Sequence, residues 1–261
     1  MPNTTTPAPD AGRNPLRKID DAVIAPKPTR KSRARVFQVY VLLAAVLFVA
    51  LAVTARVFGY FPIDLTITLA VQRYHGAAFA SVMHWVSWIG FMPQVIAICG
   101  AGVIGLFLLG MRWEAVALLF ASVANALGAL VKLIVLRPRP TPDLVHVIAE
   151  LNSPGFPSGH VLSVTAYGGF LIVLLYTLLK HSRWRTSGIA LMSVLIGLMG
   201  LSRIYQGQHW FSDVMGAYLL GSVWLALTIR GYRWGKTRYF VRQPVAPETH
   251  TPAVAPVGRA S

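Results

Sequence analysis

Six stretches of the chain contain no charged residue and are almost entirely apolar. They are Val36–Ala55, Phe91–Leu109, Ala115–Val131, Val161–Leu179, Thr186–Ser202 and Val214–Ile229. A helix needs about 20 residues to cross the hydrocarbon core of a bilayer, and the shorter stretches reach that length when a flanking Lys or Arg extends its side chain to the interface. Because lipid cannot satisfy an open backbone, each spanning stretch must be helical. The sequence therefore predicts an all-α, polytopic membrane protein with six transmembrane helices.

The composition agrees with a membrane location. Hydrophobic residues make up 55% of the 261 residues and charged residues 13%, whereas a soluble domain carries about 25% charged residues. The formal net charge of +15 would suggest nucleic-acid binding if it covered a soluble face. The basic residues instead concentrate in the two polar ends and in short turns, so we expect membrane lipids as partners and no nucleic acid.

The polar ends set the expected domain boundaries. Residues 1–35 are rich in Pro and Thr and then basic, and residues 241–261 have a similar character, which predicts two disordered cytoplasmic tails. The transmembrane domain is expected over residues 36–240. Within it, Phe61–Gly90 is apolar only in patches and carries Trp85 and Trp88. We interpret this segment as short interfacial helices between the first and second spans, with an ordinary folded loop as the alternative.

Lys and Arg indicate the orientation. All but six of the 24 Lys and Arg fall in the tails or in turns on the same side of the membrane as the tails. The positive-inside rule therefore places both termini in the cytoplasm, and the style of the tails favours a bacterial inner membrane. The six exceptions, expected on the periplasmic or extracellular side, are Arg56, Arg73, Lys132, Arg137, Arg139 and Arg203.

Several residues on that outer side predict a phosphate pocket. Lys132, Arg139 and Arg203 lie near the ends of predicted spans, where ionisable groups are functional candidates. Guanidinium and ammonium groups that meet at one point favour a multiply charged oxyanion. Ser158 and Gly159 stand just before the fourth apolar stretch, where the free N–H groups of a helix N-terminus favour phosphate.

Two histidines add reactivity to this pocket. His209 and Asp213 are four residues apart, so on a helix they share a face. A carboxylate behind an imidazole fixes its tautomer and stabilises the cation that forms, which predicts His209 as a nucleophile for a phosphoryl group. His160 is then free to protonate the leaving oxygen and later to activate water.

Three motifs, in their order and internal spacing, resemble the signature of the type 2 phosphatidic acid phosphatase superfamily. They are Lys132, six residues, then Arg139-Pro140; Pro157-Ser158-Gly159-His160; and Ser202-Arg203, five residues, His209, three residues, Asp213. The resemblance implies a six-helix membrane core and dephosphorylation without magnesium, so neither a metal ion nor a cofactor is expected. It also implies the site roles: His209 as nucleophile, Asp213 as its orienting acid, His160 as acid and base, and a phosphate-binding set of Lys132, Arg139, Ser158, Gly159 and Arg203.

Other residues near the motifs leave alternatives open. Arg137 either steers an anionic head group or is a solvated loop charge. Tyr205, Trp210 and Phe211 either line the path of a lipid chain or anchor a helix end at the interface, and we favour the second. Asp143, His146 and Glu150 lack the spacing of a metal site and are expected to shape the mouth of the pocket.

Three functional hypotheses follow. The first is a hydrolase acting on a lipid phosphate, with undecaprenyl diphosphate, phosphatidic acid and phosphatidylglycerol phosphate as candidate substrates. The second is a phosphotransferase that passes the phosphoryl group to another lipid or a sugar. The third is a lipid-phosphate carrier or receptor, which the intact trio of His160, His209 and Asp213 disfavours, because binding alone does not need it.

Overall fold

A computed structural model describes residues 27–240 of the chain, with side chains described for residues 34–239. Within that range the secondary structure is helical throughout and contains no strand. The first helix, α1 (Lys27–Val57), begins before the apolar stretch that starts at Val36, so part of the segment assigned to the first tail continues the helix. The remainder of the predicted tails lies outside the described residues.

Nine further helices follow α1 in the described part of the chain. They are α2 (Pro62–Gln72), α3 (Ala77–Ile89), α4 (Met92–Leu108), α5 (Arg112–Ser122), α6 (Ala124–Val135), α7 (Gly159–Ser163), α8 (Gly169–Leu178), α9 (Arg183–Tyr205) and α10 (Phe211–Gly235). A π-helical turn at Val164–Gly168 joins α7 to α8, and a second one at Lys236–Phe240 follows α10.

These helices give five continuous candidate membrane spans, or six when one bent pair is counted as a span. The five continuous stretches in the described part of the chain that are long and apolar enough to cross a bilayer are Ala34–Val57, Arg112–Val135, Gly159–Leu178, Arg183–Tyr205 and Phe211–Tyr239. The helices α3 and α4 pass the same test together and bend by 62° at the junction between them. The prediction of an all-α membrane protein is confirmed, with six spans when α3 and α4 are counted as one broken span.

Burial follows the same pattern. Apolar side chains such as Leu108, Leu133 and Ile134 are more than two-thirds exposed on the outside of the bundle, as expected where lipid is the solvent. The centre of the bundle contains α10, which packs against α1, α5, α7, α8 and α9. Buried apolar side chains from the α7–α8 region, α9 and α10 form the main core, including Leu162, Met199 and Val214.

Contacts between chain segments define two ends of the bundle. At one end the side chain of Arg56, in the last turn of α1, donates to the carbonyl of Val135 at the end of α6, over 3.3 Å. At the opposite end, Lys236 after α10 pairs with Glu114 at the start of α5, over 2.5 Å. The segments between α6 and α7 and between α9 and α10 therefore lie at the first end, where the backbone N–H of Ile148 donates to the carbonyl of Gln206.

The contact between these two segments requires glycine at position 207. Gly207 has a φ of +64°, a conformation that strains other residues, and a Cβ there would collide with the backbone carbonyl of His146. Gly207 lies in the five-residue interval between Arg203 and His209, so its conformation also sets how these two side chains are presented.

Gly207→Ala is expected to destabilise the protein more than Gly110→Ala. Gly110 has a φ of +76° but open space where a Cβ would lie, so its substitution carries only the backbone strain, about 1–2 kcal/mol. Thermal unfolding in detergent should give a lower midpoint for Gly207→Ala than for Gly110→Ala. Equal midpoints would show that the contact with His146 is unimportant.

Candidate active site

Arg139 is held beside His209 at the first end of the bundle. It follows α6, which ends at Leu136 in a left-handed conformation with a φ of 50°, a common way to terminate a helix. Its guanidinium donates to the carbonyls of Ser153 and Gln208 over 2.6 and 2.5 Å, and its Nη1 lies 3.1 Å from Nε2 of His209. Three contacts thus fix the guanidinium in place next to the imidazole.

Lys132 and Arg203 approach the same place with neutral partners. The ammonium of Lys132, in the last turn of α6, donates to the carbonyls of Pro154 and Gly155. The fully buried guanidinium of Arg203 donates to Ser87, Gln206 and Gln208. Because these acceptors carry no formal charge, both cations keep their charge available for an anion.

Three of these neutral partners do not appear among the sequence-based candidates. Gln206 and Gln208 lie inside the interval of the third motif, and two amides so close to Arg203 and His209 in the chain are a signal that sequence analysis could have used. Ser87 gives no such signal, because its role depends on how α3 packs against α9.

The contact with Arg139 defines the tautomer of His209. A guanidinium can only donate hydrogen bonds, so Nε2 of His209 presents its lone pair to Arg139, and the proton of the neutral ring lies on Nδ1. Nδ1 faces Oδ2 of Asp213 at 3.5 Å, longer than a good hydrogen bond of about 2.9 Å. The carboxylate therefore stands behind the ring, on the side away from Arg139.

Burial and neighbouring charge keep this ring neutral. The side chain of His209 is 2% exposed. Burial lowers its pKa well below the ordinary value of 6.5, and the positive charges of Arg139, Arg203 and Lys132 lower it further. A neutral imidazole with an unprotonated Nε2 is the form that can act as a nucleophile.

The second motif begins the span that starts at Gly159. Ser158 precedes α7, and its backbone N–H donates to the carbonyl of Asp213 over 3.2 Å, which ties the second motif to the third. The ring of His160 packs edge-on against Phe91 at a centroid distance of 5.1 Å, and Gly90 leaves room for it. His160 lies within electrostatic range of Arg203, His209, Arg139 and Lys132.

Four buried polar atoms in this region have no hydrogen-bond partner among the described residues. They are Oγ of Ser158, Nε2 of His160, Nε of Arg203 and Nδ1 of His209. Buried polar groups are nearly always paired in folded proteins. Their concentration among the three motifs indicates a site built to receive a polar ligand.

The structure corrects both interpretations of Arg137. This side chain is 1% exposed, so it is neither a solvated loop charge nor a group that meets a head group at the surface. It forms ion pairs with Asp64 over 2.9 Å and with Asp213 over 2.7 Å. The sequence pattern could not separate it from Arg139, because both arginines precede a proline in the same short Arg-Pro-Arg-Pro stretch.

The aromatic residues after Arg203 also differ from expectation. Trp210 is 1% exposed and stacks on Tyr60 at a centroid distance of 5.2 Å, so it is a buried packing residue and does not anchor a helix end at the interface. Tyr205 instead lines a groove of about 450 Å³. The groove lies between α3 and the segment before α7, and its other lining residues are Ala80, Ser81, His84, Trp85, His146 and Ile148.

The ring of His209 is expected to stay neutral in solution well below pH 6.5. NMR titration of protein labelled with ¹⁵N-histidine, with His209→Asn to assign the signal, measures this pKa. Arg139→Gln should raise the pKa, since it removes the positive charge nearest Nε2. Because the unfolded chain binds this proton near pH 6.5, the group also makes the protein less stable as the pH falls below that value. A wild-type pKa of 6.5 or above would contradict the electrostatic description.

Known membrane phosphatases resemble this chain in sequence. Residues 113–236 match the sequence model of the PAP2 superfamily. Phosphatidylglycerophosphatase B of Bacillus subtilis is 29% identical over 147 residues, 54% of this chain and 68% of that protein. Decaprenylphosphoryl-5-phosphoribose phosphatase of Mycobacterium tuberculosis is 35% identical over 103 residues, 39% of this chain but only 51% of that protein.

A solved structure shares the fold. The crystal structure of the transmembrane PAP2-type phosphatidylglycerolphosphate phosphatase from Bacillus subtilis superposes with a TM-score of 0.64 and 22% sequence identity, covering 76% of this chain and 98% of that chain. The matched domain contains all three motifs and the spans that carry them. Residues 113–236 of the chain therefore carry a PAP2 superfamily domain, and the curated and structural relatives are membrane phosphatases of that superfamily.

Proposed function

We propose that the chain is a metal-independent lipid phosphate phosphatase that hydrolyses a phosphomonoester or diphosphate head group through a phosphohistidine on His209. The observation that carries the proposal is the placement of a neutral imidazole between Arg139 and Asp213. An unprotonated Nε2 beside a phosphate-binding cation, with a carboxylate behind the ring, is an arrangement that suits a phosphoryl acceptor.

In the first step, Nε2 of His209 attacks the phosphorus atom. The N–P bond forms as the P–O bond to the lipid breaks, and His160 donates a proton to the leaving oxygen. A bound phosphate brings negative charge next to His160, which favours the protonated ring that this step requires. Asp213 stabilises the positive charge that develops on the phosphorylated imidazole of His209.

In the second step, water attacks the phosphohistidine. His160, now neutral, accepts the proton of the water as the P–N bond breaks, and inorganic phosphate leaves. The phosphoryl oxygens are bound by Lys132, Arg139 and Arg203 and by Ser158 and the backbone N–H of Gly159. Such preorganised donors stabilise the charge of the transition state because they need little reorganisation during the reaction.

The substrate class follows from the surroundings of the site. The groove beside α3 has exposed apolar lining residues, with Trp85 64% exposed and Ile148 49% exposed, which suits the apolar part of a lipid. Undecaprenyl diphosphate fits an outward-facing site in a bacterial membrane, and phosphatidic acid and phosphatidylglycerol phosphate are rivals. Of the relatives, one is named for a phosphoglycerol lipid and another for a polyprenyl-linked phosphate, so both chemistries belong in a substrate panel.

We expect that the phosphohistidine can be trapped when the purified protein reacts with a ³²P-labelled lipid phosphate and the reaction is stopped without acid. The label should be stable in base and labile in acid, and His209→Ala should abolish both label and turnover. Asp213→Asn should lower kcat far more than it raises KM, since Asp213 does not touch the substrate. Retention of more than a few per cent of activity by His209→Ala would contradict the assignment.

The same preparation separates the hydrolase from the phosphotransferase. A hydrolase releases one inorganic phosphate for each phosphomonoester consumed, whereas a transferase forms a phosphorylated acceptor. Excess EDTA should leave the rate unchanged. Inhibition by EDTA that magnesium reverses would contradict the metal-independent reaction.

We also propose that the site faces away from the cytoplasm, with both termini inside, because Arg112, Lys180, Arg183 and Arg185 lie at the opposite end of the bundle. In a Cys99→Ser background, Glu150→Cys should react with a membrane-impermeant maleimide in intact cells, and the matched His181→Cys only after permeabilisation. Both chosen positions are exposed. The reverse labelling pattern would overturn the orientation.

A further inference from the structure

We propose that Arg137 and Asp64 are positioning residues for the reaction, which hold the carboxylate of Asp213 in the orientation that His209 needs. The proposal rests on the function proposed for His209 and Asp213. It assigns a role to two residues outside the phosphate-binding and catalytic set, one of which, Asp64, lies in the short helix α2.

Arg137 fixes one oxygen of Asp213. Nη1 of Arg137 donates to Oδ1 of Asp213 over 2.7 Å, and both side chains are fully buried. The other oxygen, Oδ2, accepts from the backbone N–H of Trp210 over 3.0 Å and is the one that faces His209. Because Oδ1 is occupied by the guanidinium, the carboxylate cannot rotate without breaking an ion pair away from water.

Asp64 in turn fixes Arg137. Nη2 of Arg137 donates to Oδ2 of Asp64 over 2.9 Å, and the same oxygen accepts from the backbone N–H of Phe61 and from the hydroxyl of Ser212. Oδ1 of Asp64 accepts from the backbone N–H of Ser212 over 2.7 Å. Asp64 is therefore fully paired, and it contacts the residue directly before Asp213 in the chain.

Asp64 and Asp213 occupy equivalent places. Each lies in the first turn of its helix, α2 or α10, and accepts from the backbone N–H of the residue just before the helix. Arg137 bridges the two first turns, and the ring of Phe61 covers its guanidinium at 4.9 Å. The bridge thus joins α2, the segment after α6 and α10 at the point where Asp213 meets His209.

Charge explains why a guanidinium is needed here. The charged or titratable groups around His209 are Lys132, Arg139, His160, Arg203 and Asp213. The cations Lys132, Arg139 and Arg203 would attract Asp213 toward the phosphate pocket, where it would neutralise them. Arg137 pairs with Oδ1 of Asp213 over 2.7 Å, and this competing attraction keeps the carboxylate beside the ring of His209.

Arg137→Gln is expected to lower kcat at least about tenfold with little change in KM, and by less than the roughly 10⁴-fold that loss of an orienting carboxylate itself causes. It should also raise the pKa of the His209 ring in the NMR titration. The negative charge of Asp213 then acts on the ring without being offset by the positive charge of Arg137. Arg56→Gln is the matched control. Arg56 is an exposed arginine at the same end of the bundle, its described hydrogen bond goes to the carbonyl of Val135, and no contact joins it to Asp213.

A folded Arg137→Gln protein with the wild-type kcat and an unshifted His209 titration would overturn the proposal. Since Arg137→Gln leaves two buried carboxylates unpaired, it can fail to fold, and Asp64→Asn and the double variant Asp64→Asn/Arg137→Gln then decide. Asp64→Asn should lower kcat. Its thermal unfolding midpoint should stay close to that of the Arg56→Gln protein. The double variant should be no slower than Arg137→Gln where that protein folds, because the two residues act as one unit.

If Asp64→Asn keeps the wild-type kcat and titration, the positioning role is excluded. The proposed function is tested by a different variant, because an active His209→Ala protein would contradict it. The titration of His209 does not depend on turnover, so it tests the bridge even in that case.

Discussion

The carboxylate–guanidinium–carboxylate bridge from Asp64 through Arg137 to Asp213 is the interaction on which the rest of the site depends. It lies at the meeting point of three chain segments that are distant in sequence, and each of its hydrogen-bonding groups is paired. Burying a charge is unfavourable, and removing one partner of a buried ion pair typically costs about 3–5 kcal/mol. The bridge therefore specifies one arrangement of the segments, because any other would leave a charge unpaired away from water.

A second constraint is the collection of like charges beside this bridge. Lys132, Arg139 and Arg203 donate to backbone carbonyls, a serine and glutamine amides, which do not cancel their charge. Among the described residues, the carboxylate beside them is Asp213, which is occupied by Arg137 and a backbone N–H. The protein thus holds three cations close together at the expense of stability, which is the usual condition of a site that binds a highly charged anion.

The sequence predicted most of this architecture, for reasons that differ from element to element. The spans follow from uninterrupted apolar stretches, since lipid leaves few alternatives to a helix, and the candidate site residues follow from three motifs whose cations and histidines the structure brings together. Arg137, Asp64 and Ser87 could not be assigned in this way. Their partners lie 73 to 119 residues away in the chain or depend on the bend between α3 and α4, and a buried arginine has no local pattern that separates it from a solvated one.

Trp210 differs from expectation for a related reason. The interfacial preference of tryptophan is a statistical tendency, and packing against Tyr60 overrides it.

The break between α3 and α4 links the site to the bilayer itself. Trp85 and Trp88 are exposed on α3, whereas Ser87 on the same helix donates to Gln206 and accepts from Arg203. A membrane of different thickness changes the depth at which such amphipathic segments settle, and any shift of α3 would move the partners of Arg203 with it. Under the proposed function, hydrophobic mismatch would change how Arg203 meets a phosphate, and the bilayer would tune the enzyme in addition to supplying its substrate.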